Sequence, residues 1–109
     1  MASGRGALDP QGFVGRARTI ALETARESGI LLTPNALPAV DTLVEERMPR
    51  VERRFSEGTL DFAGWERLVR KAAEQIAKEY RKKVIRSVDD PEELLRRARY
   101  MLSVYPFDC

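Results

Sequence analysis

The stretch Phe62–Lys83, FAGWERLVRKAAEQIAKEYRKK, decides how this chain is read. Phe62, Trp65, Val69, Ala72, Ile76 and Tyr80 recur at three- and four-residue intervals, the spacing that places side chains on one side of an α-helix. The spacing therefore predicts a helix that turns these six residues inward. From Arg67 to Lys83 the same stretch holds seven basic residues and only two acidic ones. With Val69 at the centre of the inward side, Arg67, Arg70, Lys71, Lys78, Arg81 and Lys82 each fall about 100° or more away from it. They define a basic ridge about 22 Å long at roughly 1.5 Å per residue, interrupted by Glu74 and extended by Lys83 and Arg86.

Two readings of that ridge stand side by side. A strip of cations on one helix face follows a phosphate backbone by charge alone, without reading base sequence. Alternatively it is an ordinary solvated face, laced by Glu66–Arg70, Glu74–Lys78 and Glu79–Lys83 at four-residue spacing. Trp65 and Tyr80 lie on the apolar side, so they read as core residues and not as a platform for stacking bases.

Working outward, punctuation marks three further helices. Asp9 and Pro10 in LDPQGF cap and open the first, which runs over about 10–28 with Phe13, Val14, Ala17, Ile20, Ala21 and Ala25 as its stripe. Gly29 ends it, with Ile30 placed to fold back on the last turn. The second spans about 35–57, starting near Asn35 so that Pro38 stays in the first turn. Its stripe of Leu37, Val40, Val44, Met48, Val51 and Phe55 passes straight through Pro49, which predicts a kink and not a break. Asp41, Glu45 and Glu52 line one flank, and Arg47, Arg50 and Arg54 the other. Gly58 closes this helix and Asp61 caps the third, expected over 61–86. In DDPEELL, Asp90 caps the fourth over 91–105, Pro91 follows, and Glu93 completes a capping box. Nothing alternates with a period of two, so the expected product is all-α: a four-helix bundle or a small irregular helical domain.

Length and composition fit one domain over 1–109, with 1–8 read as a flexible N-terminal tail. No apolar run approaches the roughly 18 residues that cross a bilayer, so no membrane role is expected. The N-terminus lacks a secretory pattern, and one cysteine, Cys109, suits a reducing, cytoplasmic setting. The net charge of +2 hides an uneven distribution. Residues 47–88 carry 12 basic and 6 acidic groups, whereas the flanking segments are each slightly acidic.

Catalytic chemistry is short of parts. The chain has no histidine, which removes imidazole bases, Ser–His and Cys–His pairs and His-ligated zinc. GTLDFAGW has the glycine of an EF-hand loop, but Arg53, Phe55 and Gly64 would then stand where oxygen ligands belong, so calcium is rejected. No phosphate-cradling glycine loop follows a strand. The acidic DDPEE start of the fourth helix would repel phosphates. The sequence thus reads as a non-enzymatic helical accessory module, without metal or cofactor, whose ridge meets an acidic partner such as a DNA or RNA backbone. Arg47, Arg50 and Arg54 would extend that surface. The alternative is a purely protein-binding or self-associating module, in which Tyr100, Val104 and Phe107 at the C-terminal end meet a protein partner or a second copy.

Overall fold

The structure is a computed structural model that describes residues 10–104. The expectations for 1–8, Asp9, Tyr105, Phe107 and Cys109 lie outside the described residues. Four helices account for most of the rest: α1 (Pro10–Glu27), α2 (Leu37–Glu57), α3 (Phe62–Lys82) and α4 (Pro91–Val104). The all-α expectation holds, in its irregular form.

The turn signals act as anticipated. Gly29 takes φ +79, a left-handed conformation that costs glycine little, and the Ile30 amide then donates to Ala25 O at 2.8 Å. Ile30 becomes core. Gly58 repeats the device at φ +76 after α2. Asp61 accepts from the Gly64 amide at 2.8 Å and so satisfies an orphan donor of α3. Asp90 accepts from the Glu92 amide at 3.0 Å, but the capping box does not close, because Glu93 pairs with Arg97 at 3.1 Å. α2 enters through a 3-10 turn at Pro34–Ala36, which brings Pro38 into its first turn as expected. The helix then continues across Pro49.

Two features depart from the sequence reading. Leu31–Leu32 (β1) and Ser87–Val88 (β2) form a short parallel pair, with Leu31 N donating to Arg86 O at 2.8 Å and Thr33 N to Val88 O at 3.0 Å. Two residues per strand are too few to show a period of two. This pair also ends α3 early: the helix stops at Lys82 and not near 86, and Val84 turns the chain at φ +60. Phe62, expected inside, is 43% exposed, its ring meeting Phe13 edge-on at 5.4 Å.

Packing follows from α1. It lies against both α2 and α3, which barely touch each other. Arg16 Nε meets Glu66 of α3 at 2.5 Å, and the Arg18 guanidinium meets Asp41 of α2 at 2.5 and 2.7 Å. Phe13, Ala17, Met48, Val51 and Trp65 form one core cluster, with the Phe13 and Trp65 rings edge to face at 4.6 Å. Ala25, Ile30, Ala36, Ala39, Ala77, Tyr80, Val88 and Leu94 form the other. α4 covers this second cluster, and Arg97 sits over the Tyr80 ring at 5.5 Å.

The entry to α2 and the entry to α4 are tied by one carboxylate. Asp89 accepts from Thr33 Oγ1 at 2.6 Å and Asn35 Nδ2 at 3.1 Å, and these bonds hold its pKa below the ordinary aspartate value. A depressed folded pKa means that stability is present above the unfolded value of about 3.9 and is lost as pH falls through the folded value. Urea midpoints measured between about pH 5 and 2 should therefore fall more steeply for the wild type than for Asp89→Asn, which has no proton to take up there.

Candidate functional site

α3 runs unbroken to Lys82, so the register of the ridge is as counted from the sequence. Arg67, Lys71, Lys78, Arg81 and Lys82 are exposed. Arg70 departs from the group. It is half-buried, and its guanidinium lies 3.7 Å from Glu23 and 3.6 Å from Glu27, both on α1.

None of the three expected four-residue ion pairs forms within 4 Å among the described residues. Glu66 is taken by Arg16 and Arg70 by Glu23 and Glu27, while Glu79 reaches Lys82 at 3.7 Å. A carboxylate near the seam between helices meets a partner from the neighbouring helix before one from its own. The consequence is that Arg67, Lys71, Lys78 and Arg81 have no carboxylate within 4 Å among the described residues.

Arg47, Arg50 and Arg54 occupy a different place. They stand on the α2 edge of an apolar groove between α2 and α3, not in line with the α3 ridge. Arg54 binds back to its own turn, donating to Thr59 O at 3.2 Å and to Thr59 Oγ1 at 3.4 Å.

The groove is the feature the sequence reading missed. Its cavity is about 170 Å³, floored by Ala17 and Ala21 of α1 and walled by Val44 and Val51 on α2 and Leu68, Val69 and Ala72 on α3. A signal for it was present. Alanines at 17, 21, 25, 72, 73 and 77 sit at inward positions, and an alanine leaves unfilled any space that opposing helices do not close. α4 lies over part of the gap through Leu94, Ala98 and Leu102. At that end Tyr80 is 3% exposed and its hydroxyl has no hydrogen-bond partner among the described residues; burial first, then Glu93, push its pKa above the ordinary phenol value.

At the far end of α4, Tyr100 and Val104 are exposed, at 68% and 48%. Phe107, the third residue expected to meet a protein partner or a second copy, lies outside the described residues. Among the described residues no group of three or more His, Cys, Asp or Glu side chains could hold a metal ion, and no helix is long and apolar enough to cross a membrane. Neither a family model, nor a curated protein, nor a solved structure matches this chain.

Proposed function

We propose that this chain is a non-catalytic helical accessory module that lays the outward face of α3 along a polyanion, of which a nucleic-acid backbone is the simplest. The observation that carries the reading is the set Arg67, Lys71, Lys78, Arg81 and Lys82. These five cations are exposed on one continuous helix, and among the described residues only Lys82 meets a carboxylate, at 3.7 Å on the same face. Exposed charges at this spacing cost little to bring to a phosphate chain, because they are not buried and few are already paired. Binding by charge alone is insensitive to base sequence and releases counterions. The absence of histidine from the whole chain supports the non-catalytic part of the proposal.

A second reading, a protein-binding or self-associating module, is favoured by one separate observation: Tyr100 and Val104 expose apolar surface side by side on the last turn of α4. The two readings make different measurements move. In the second, mass by light scattering falls to that of a monomer on Tyr100→Ser with Val104→Ser, and oligonucleotides change nothing.

For the first, about five phosphate contacts predict that log K falls against log salt with a slope of roughly −4.5 for duplex DNA and roughly −3.5 for a single strand. Lys71→Glu, Lys78→Glu and Lys82→Glu combined should abolish binding while leaving the helical circular dichroism unchanged, since none of the three is buried. Salt-independent binding, or full binding by the triple variant, would discard the reading.

A further inference from the structure

We propose that the groove between α2 and α3 is a docking site for the chain's own segment 105–109, Tyr-Pro-Phe-Asp-Cys, which follows α4 in the sequence.

The direction of α4 is the first argument. Asp89, just ahead of α4, meets Thr33 and Asn35, just ahead of α2. Ten residues later Arg99 donates to Glu46, eleven residues beyond Asn35. α4 therefore runs alongside α2 in the same sense, and by this count its last residue, Val104, draws level with Val51. At about 1.5 Å per residue α4 is roughly 20 Å long, whereas α2 and α3 are each roughly 30 Å. The helix runs out before the groove does. What extends past it is bounded by Val51, Arg54, Leu60, Trp65 and Leu68.

Reach and backbone agree with this occupant. Proline at 106 cannot continue a helix, and the residue before a proline favours an extended backbone. Five extended residues span up to about 17 Å, more than the roughly 9 Å from Val51 to the end of α2.

Chemistry selects the same segment. Where α4 lies over α2, the α2 edge offers Glu46 and α4 answers with Arg99. Past that point the same edge carries the positive charge of Arg50 and Arg54, with which an acidic occupant is compatible. The segment supplies Asp108, together with two aromatic rings, Tyr105 and Phe107. The groove as a whole, including the part under α4, holds about 170 Å³, against the roughly 150 Å³ that accommodates a benzene ring in an apolar interior. The groove therefore has room for no more than about one aromatic side chain.

The chain carries its own probes, a single tryptophan at the groove and a single cysteine at 109. A nitroxide attached to Cys109 of the full chain should at least halve the NMR intensities of the Trp65 indole and the Leu60 and Leu68 amides, relative to the reduced label. Arg50→Glu with Arg54→Glu should restore those intensities, and Phe107→Ser should do the same without touching the groove. Broadening confined to the last turn of α4 would overturn the proposal, as would a pattern that neither variant alters. Mixing spin-labelled protein with isotope-labelled, spin-free protein separates a second copy: broadening that crosses between molecules would assign the groove to a neighbouring chain and overturn it too.

Discussion

The placement of α1 between α2 and α3 is the constraint on which the rest of this molecule depends. Its apolar side, from Phe13 through Ala17 and Ile20 to Ala25, is buried against both long helices, which hardly meet each other. Ion pairs decorate the two seams, Arg16 with Glu66 on one and Arg18 with Asp41 on the other. All four side chains keep between 24% and 43% of their surface in water, so each pair is solvent-screened and contributes little beside apolar burial. Burying a single side chain such as Ile20 or Phe13 contributes roughly 1.5–3 kcal/mol. Apolar burial therefore decides that α1 sits there, and the charged pairs border its two seams.

Much of this was legible from local rules. Gly29, Gly58, Asp61 and Asp90 act within a few residues of themselves, and local rules of backbone freedom and capping cover them. The inward positions of Trp65 and Tyr80 follow from periodicity over a long helix, the most robust of sequence signals. What escaped was decided by residues far apart in the chain. The pair Leu31–Leu32 with Ser87–Val88 joins segments more than fifty residues apart, and neither half has the length to announce itself. The four-residue ion pairs of α3 were chemically sound for an isolated helix. Glu66–Arg70 gave way because α1 brought Arg16, Glu23 and Glu27 to the same two side chains, and Glu79 reaches Lys82 in place of Lys83. The groove was hidden for a related reason: an inward alanine looks the same in sequence whether the opposing helix closes on it or stands off.

The same geometry explains why five cations of α3 stay outward while the sixth does not. Arg70 falls at about 100° from the centre of the inward side, on the flank next to α1, where Glu23 and Glu27 are in reach. Arg67, Lys71 and Lys78 fall within about 20° of the point directly opposite the core, out of reach of any neighbouring helix. Arg81 lies nearer to the α1 flank by angle, yet α1 has already ended at Glu27 and the chain has turned at Gly29. Length and angle together leave Arg67, Lys71, Lys78 and Arg81 without a carboxylate within 4 Å among the described residues, whereas the cations of α2 stand at the edge of a groove. The two basic features are therefore separate surfaces with different neighbours: one faces bulk solvent, where a flexible polyanion meets no steric barrier, and the other frames an apolar space that only a shaped occupant can fill.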